Sequence, residues 1–325
     1  MVSVVIPVYN EEESVPRLAE ALRQELPKLG VPWEVILVND GSADGTAAAL
    51  DTLAQADDRF VAIHLRRNFG QTAAMAAGFD YARGDIIVAM DADLQNDPAD
   101  IPKLLAKLAE GYDVVSGWRR HRKDRWLTRV VPSKIANWLI SAITGVRLHD
   151  YGCSLKAYRR DIIRDVRLYG EMHRFLPALC HWAGARIAEV EVAHHPRRFG
   201  RSKYGLGRIT RVLLDLITVK FLLSYSTMPI RVFGPPGLLL FLGGFGLGAY
   251  LSYQKLVFGL PLASRPALLL AVLLMVVGLQ SLSLGLLGEL IARTYYESQG
   301  KKTYTIRYIT ALRRQPVSDV ENGQT

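Results

Sequence analysis

Cysteine is almost missing from this chain: Cys153 and Cys180 are the only two in 325 residues. Neither sits in a CxxC pair or a His/Cys cluster, which excludes a disulfide framework and a zinc module and leaves both as reduced thiols. No GxGxxG follows the first apolar run, so the glycine fingerprint that lays backbone against a dinucleotide is missing too. Met1 runs straight into VSVVIPV with no basic segment and apolar signal core, and no cleavable signal peptide is expected. Acidic residues are in the minority, 31 against 40 Lys and Arg, for a net charge of +9. That balance suits nucleic acid, an anionic membrane or phosphorylated substrates. Distribution excludes nucleic acid, because the cations gather beside apolar segments rather than on one aromatic-rich face. With 50% apolar residues the chain is too apolar for disorder, and its length holds one ordinary domain plus something more.

Charge is absent from two long stretches near the C-terminus. Val232 to Tyr253 and Pro266 to Leu287 contain no Asp, Glu, Lys or Arg, and each has the length of a bilayer span. Water-soluble core helices of this length seldom lack charge on every face, so two transmembrane helices are expected. Glu289 and Arg293 follow at i, i+4, suited to an interfacial pair. Arg208, Arg211, Lys220 and Arg231 precede the first span; Arg293, Lys301, Lys302, Arg307, Arg313 and Arg314 follow the second; the connecting loop offers Lys255 and Arg265. By the positive-inside rule the N-terminal domain and the C-terminal tail are cytoplasmic, in a multi-pass protein of the cell inner (plasma) membrane. Gly244 and Gly248 form a small-xxx-small pair through which helices could approach and oligomerise. The expected division is a cytoplasmic domain over 1–207, an amphipathic interfacial helix over 208–231, a two-helix hairpin over 232–293 and a cytoplasmic tail over 294–325.

Ahead of the spans, short β-branched runs at 2–8, 34–40, 60–65, 85–91 and 113–117 alternate with helical segments near 11–26, 45–56, 71–83 and 98–109. This is the pattern of an α/β domain with a mostly parallel sheet. Asp44 is a candidate cap for one helix and Pro98 suits the first turn of another. In such sheets ligands sit beyond the carboxyl ends of the strands. The residues there are acidic: Asn10-Glu11-Glu12-Glu13 after the first strand, Asn39-Asp40-Gly41-Ser42 after the second, Asp91-Ala92-Asp93-Leu94-Gln95 after the fourth. A nucleotide bound among carboxylates needs a divalent cation between them and its phosphates, and hard Mg²⁺ or Mn²⁺ fits oxygen ligands. Asp91 and Asp93 are the pair for it; an ordinary acidic loop capping the helix at Pro98 is the other reading.

PVYNEE, VNDGS and DADLQ at strand ends, followed by a two-helix anchor, resemble the family 2 glycosyltransferases of GT-A (Rossmann-like) fold. More narrowly the chain is similar to the polyisoprenyl-phosphate glycosyltransferases, the group that holds dolichol-phosphate mannose synthase and the bacterial GtrB and ArnC type enzymes. The resemblance implies a metal-dependent enzyme that moves a sugar from a nucleotide sugar to a polyprenyl phosphate lipid, with inversion at the anomeric carbon, and favours a homo-oligomer, a tetramer. By motif match Pro7, Tyr9, Glu11 and Asp40 hold base and ribose, while Asp91, Asp93 and Gln95 handle metal, diphosphate and sugar, with Asp93 as first choice for direct ligand.

A lipid phosphate calls for arginine, whose planar fork grips two oxygens. In the resembled family an arginine after the fifth strand and an Arg-xxx-Ser pair hold the acceptor, a role carried here to Arg119, Arg129 and Ser133. Arg120, Arg122, Lys123 and Arg125 read instead as a basic loop on anionic head groups. Segments 134–145 and 209–226 have apolar residues at helical spacing and suit the membrane interface, a core helix being the other reading of the first. Asp150 is an orienter, a weak base or a structural cap. Arg201 and Lys203 lie in a basic stretch, either a lid over the departing diphosphate or a juxtamembrane patch. His173, His181, His194 and His195 match no ligand pattern and are read as structural.

The acceptor phosphate is mostly dianionic at cytoplasmic pH, so no strong base is needed, and one in-line displacement is expected. The preferred reaction is glucose from UDP-glucose to undecaprenyl phosphate; GDP-mannose as donor, or a non-catalytic nucleotide-sensing membrane tether, are the alternatives. A processive polysaccharide synthase is disfavoured, since it needs more spans and a QxxRW signature.

Overall fold

The computed structural model describes residues 1–120, 137, 140–141, 144–164, 166, 168, 172–196, 230–259, 261, 266–298 and 303–311. Its sheet grows outward from β1 (Val2–Val8), which pairs in parallel with β2 (Trp33–Asn39) on one side and β4 (Ile86–Ala89) on the other; β3 (Phe60–Leu65) extends the parallel run beside β2. Strands covered on both faces read as unbroken apolar runs rather than alternations, which is why these segments stood out in the sequence. Pro7 sits in this central strand without breaking a ladder. Met90 N donates to Val5 O, so the donors of residues 5 and 7 face β4, and β4 stops pairing at Val5↔Ala89 before Pro7 would be asked for an N–H.

The far side of the sheet is mixed. β5 (Val114–Trp118) pairs antiparallel with β6 (Lys156–Arg159), which also pairs antiparallel with β4, and β7 (Ile187–Glu191) runs parallel to β5. At the opposite edge β8 (Ile306–Thr310) lies antiparallel to β3, giving the order β7-β5-β6-β4-β1-β2-β3-β8. A strand in this C-terminal segment was not expected from the sequence. Five residues between two basic stretches, three half-buried and two exposed, carry too little periodicity to announce an edge strand.

Helices α1 (Val15–Glu25), α2 (Thr46–Ala56) and α4 (Ile101–Ala109) turn Leu18, Leu22, Leu50, Leu104 and Leu108 into one core with Val4, Val88 and Val115. Each fully buried leucine contributes about 1.5–3 kcal/mol over an exposed one. α3 (Gln71–Tyr81) covers the other face so closely that a Cβ on Gly78 would stand 2.2 Å from Val5 Cγ1. Short α5 (Arg160–Arg164) and α6 (Leu176–Trp182) follow β6. Pro98 opens a single 3₁₀ turn ahead of α4, with the Asp97 carboxylate accepting from Ala99 N. Asp44 accepts from Thr46 N while Gly45 occupies the cap position itself.

The chain divides into two compact units, Met1–Leu216 with Lys302–Thr325, and Ile217–Lys301. The second contains α7 (Ile230–Phe258) and α8 (Pro266–Ser298). Both are long and apolar enough to cross a membrane, and only 17% and 11% of their most apolar stretches are buried. Leu239, Leu256 and Leu269 stand among the exposed large side chains, a face suited to lipid rather than water. The two helices pack on glycine: a Cβ on Gly278 would lie 2.5 Å from Phe241 N, and one on Gly244 2.7 Å from Ala271 O. The close approach available at Gly244 is therefore used inside the hairpin.

Candidate active site

The chemistry-bearing residues collect at the carboxyl edge of the sheet, where the loops after β1, β2 and β4 meet. The first two loops clasp each other. Asn10 N donates to Ser42 Oγ at 3.0 Å and Ala43 N to Asn10 Oδ1 at 2.8 Å. Glu11 N donates to Thr46 Oγ1 at 2.9 Å, and Gly45 N to Glu12 Oε2 at 3.0 Å. Asn10 takes a left-handed φ of 55° to make this turn, a conformation asparagine tolerates better than most residues. Gly41, at φ 65°, has no room for a side chain: a Cβ would meet the Arg67 carbonyl carbon at 2.4 Å.

Asp40 is turned inward. Its carboxylate accepts from Phe69 N at 2.7 Å and Gly70 N at 2.9 Å, tying the second loop to the start of α3. Burial raises its pKa, and these two donors partly offset that. Glu11 accepts from Ser14 Oγ at 2.6 Å. Pro7 and Tyr9 lie half-buried at the end of β1. The expected nucleotide-side residues are thus brought together, with Asp40 and Glu11 also holding the loops that carry them.

After β4 the chain bends through Leu94 at φ 59°, and Gln95 N donates back to Asp93 Oδ1 at 3.1 Å. Asp93 is buried and Asp91 half-buried. Burial, then repulsion from Asp93, pushes the Asp91 carboxyl above its ordinary range, against the Ser154 hydroxyl and the cations of Arg119 and Lys156. Gln71, at the start of α3, donates to Asp91 Oδ1 at 2.8 Å. A half-buried carboxylate raised by burial and by an acidic neighbour two residues on is a donor that a hard divalent cation would relieve, with Asp93 beside it as the second oxygen donor. Among the described residues no group of three or more His, Cys, Asp and Glu could hold a metal, so the pair fits an ion shared with a substrate.

The acceptor-side expectation centres on Arg119, which follows β5. Its guanidinium meets Asp150 in a fork, Nε to Oδ2 at 2.7 Å and Nη2 to Oδ1 at 3.0 Å. Burial alone would lower the arginine pKa; the carboxylate more than offsets it and raises it, so the charge is kept. Asp150 is held in place by its neighbours. Glu189 on β7 accepts from Asp150 N at 3.2 Å, His149 N at 2.9 Å and His149 Nδ1 at 2.9 Å. Lys156, buried on β6, donates to Tyr151 O at 3.1 Å. An acid and a base thus grip the 149–151 turn by its N–H and C=O groups respectively. Arg120 leaves this cluster and pairs with Glu191 at 2.6 Å.

Arg129, Ser133, Arg201 and Lys203 lie outside the described residues. Gln71, Ser154, Lys156 and Glu189 escaped the sequence reading because none sits in a motif; the first three lie at or just before the start of a helix or strand, and Glu189 lies in the middle of β7. His173 and His181 bond within the fold: His173 Nδ1 meets Thr72 Oγ1 at 2.8 Å, and His181 Nδ1 meets Ala185 O at 3.3 Å. His195 comes closest to the acidic loop, its Nε2 3.1 Å from Asp97 and its N–H on Gln95 O.

Comparison with known proteins gives a consistent picture. Residues 3–167 match the family described as Glycosyl transferase family 2. Dodecaprenyl-phosphate galacturonate synthase of Rhizobium johnstonii is 45% identical over 321 residues, covering 94% of this chain and 92% of that protein. Undecaprenyl-phosphate 4-deoxy-4-formamido-L-arabinose transferase of Proteus mirabilis is 41% identical over 315 residues, covering 96% and 95%. Among solved structures, glucosyl-3-phosphoglycerate synthase of Mycobacterium tuberculosis with Mn²⁺ and UDP-glucose superposes with a TM-score of 0.52 at 20% identity, over 70% of this chain and 81% of that one.

Proposed function

Because the chain belongs to glycosyl transferase family 2 and carries the GT-A fold, we propose that it moves a sugar from a nucleotide diphosphate to a polyprenyl phosphate at the cytoplasmic face of the inner membrane. The observation that carries the reading is the meeting of the Asp91–Asp93 loop with the two clasped loops at one sheet edge, in a chain that also contains a lipid-compatible hairpin. The near full-length relatives named for dodecaprenyl and undecaprenyl phosphate support the lipid acceptor.

In this reading Pro7, Tyr9, Glu11 and Asp40 border the nucleoside, and Gln95 the sugar. Asp91 and Asp93 are the residues that would hold Mg²⁺ or Mn²⁺, which when bound supplies positive charge to the leaving diphosphate. Arg119 offers the acceptor phosphate the guanidinium N–H groups not engaged by Asp150, which holds the Nε–Nη2 edge and so fixes the orientation of the group. Arg129 and Ser133 complete that subsite, and Arg201 and Lys203 neutralise the departing nucleotide. The acceptor dianion is already a nucleophile, so alignment behind the anomeric carbon and exclusion of water are the protein's work. One displacement turns an α-linked donor into a β-linked product.

UDP-glucose is the preferred donor and GDP-mannose the alternative; the 45% identity to a galacturonate synthase favours a uronic acid donor as a second reading. A tetramer is the assembly the resemblance favours. The test is transfer from a panel of radiolabelled nucleotide sugars to undecaprenyl phosphate by membranes carrying the protein. Lipid-linked product from one donor supports the reading. Intact protein that binds nucleotide yet forms product from none of them points to the sensing tether instead.

A further inference from the structure

The segment that follows the membrane hairpin returns to the catalytic domain, and two hydrogen-bonded routes lead from it to the donor loops. The first runs through Asp51 on α2, whose carboxylate accepts from Tyr308 Oη at 3.1 Å, from Thr310 Oγ1 and from His64 Nε2 at 3.1 Å. His64 lies on β3, buried, with its ring stacked on Tyr308 at 4.3 Å between centroids. Its Nδ1 faces Asn39 Nδ2 at 3.1 Å. The Asn39 carbonyl is taken by Ser42 N at 2.9 Å, so the asparagine presents its amide nitrogen to His64. The tautomer follows: Nδ1 accepts and Nε2 donates to Asp51. Burial lowers the His64 pKa despite Asp51, in keeping with a neutral ring. From Ser42 the route crosses to Asn10 and the first loop.

The second route passes through the backbone. Thr305 O accepts from Arg66 N at 3.0 Å, and Tyr304 Oη donates to Asp80 on α3 at 2.7 Å. Residues 66–70 in turn support the second loop: Phe69 N and Gly70 N hold Asp40, and Gly41 packs against the Arg67 backbone. Both routes end on Asn39–Ser42.

We propose that residues 304–310 are a positioning element of the nucleotide subsite, acting through His64 and Asn39, so that donor affinity depends on the chain's return from the membrane hairpin. The role is positioning rather than contact, because the strand reaches the donor loops only through His64, Asn39 and the 66–70 backbone. The inference rests on the functional reading above, and the experiment separates the two. The full chain in detergent is titrated with UDP and with GDP, each with Mg²⁺, and donor and acceptor KM are measured. Tyr308→Phe with Thr310→Val removes two hydroxyls at an edge strand, and His64→Phe keeps the stack while removing both hydrogen bonds. Each variant should bind nucleotide about five- to tenfold more weakly, the effect of losing about one ordinary hydrogen bond. Acceptor KM should stay within twofold, and Thr310→Ser should behave as the natural chain. Equal nucleotide binding by the Tyr308/Thr310 double variant and the natural chain overturns the positioning role. So do parallel rises in both KM values. Failure of the natural chain to bind either nucleotide overturns the functional reading itself.

Discussion

Arg119 and Asp150 are 31 residues apart in sequence and joined at both prongs of the guanidinium, with side chains only 11% and 3% exposed. A buried ion pair of this kind is costly to break from one side, because the remaining charge loses its partner without regaining water. Asp150→Ala should therefore destabilise the protein by about 3–5 kcal/mol. Arg119→Met with Asp150→Leu should cost less than the two single changes added. A double-mutant cycle by chemical denaturation reads the coupling, and strict additivity would show that the fork stores no interaction energy. The same single change should raise the KM for polyprenyl phosphate more than that for the nucleotide sugar.

Asp93→Ala should cut transfer by at least about 10²–10³-fold, the scale of losing electrostatic stabilisation at a leaving group. Mn²⁺ binding followed by electron paramagnetic resonance should weaken in parallel, with circular dichroism unchanged. Normal turnover in this variant would remove the metal role from the acidic loop.

Acid should weaken the fold through Asp57. The Arg59 guanidinium, then Arg23, more than offset burial and pull its carboxyl down to about 2. A depressed folded-state pKa gives stability that is present above the unfolded value near 4 and lost as pH falls toward 2. Melting temperature should drop across that window, and the drop should be smaller in Asp57→Asn. An identical acid profile in the variant would show that other carboxylates carry the effect.

Both thiols should be silent in the native protein. Burial pushes Cys153 up to about 11 and Cys180 up to about 12, leaving almost no thiolate at pH 8. Ellman's reagent should find no reactive cysteine in the folded chain and two after denaturation. Fast native labelling would show that one side chain reaches solvent.

Within the hairpin, Gly278→Ile should lower the thermal stability of the detergent-solubilised protein, since its Cβ would overlap Phe241 backbone at 2.5 Å. Gly243→Ile, where nothing lies within 4 Å of a Cβ, is the matched control and should leave it unchanged. Equal effects would mean that helix propensity rather than packing decides.

Much of this molecule was legible in one dimension. Unbroken apolar runs mark strands buried on both faces, and leucines at helical spacing mark α1 and α4, because burial of a regular element is a local periodic property. Stretches without charge mark the hairpin for a similar reason: lipid accepts no charge on any face. Acidic residues placed just past strand ends located the site, since topology puts every such loop on one edge. Pairing between distant segments was not written locally. That Asp150 faces Arg119, that Glu189 and Lys156 grip the turn between them, and that Gly244 serves its own hairpin depends on strand register and loop paths. The short strand Ile306–Thr310 reached β3 only because the chain returned to the domain, and its anchors on Asp51 become visible once the sheet has closed. The type of the long apolar elements and the place of the candidate site follow from the order of residues alone; the short strands of the sheet's far side and edge, and the partner each polar group finds, are decided by the folded chain, where a buried donor or acceptor must be matched by whatever the tertiary path brings within about 3 Å.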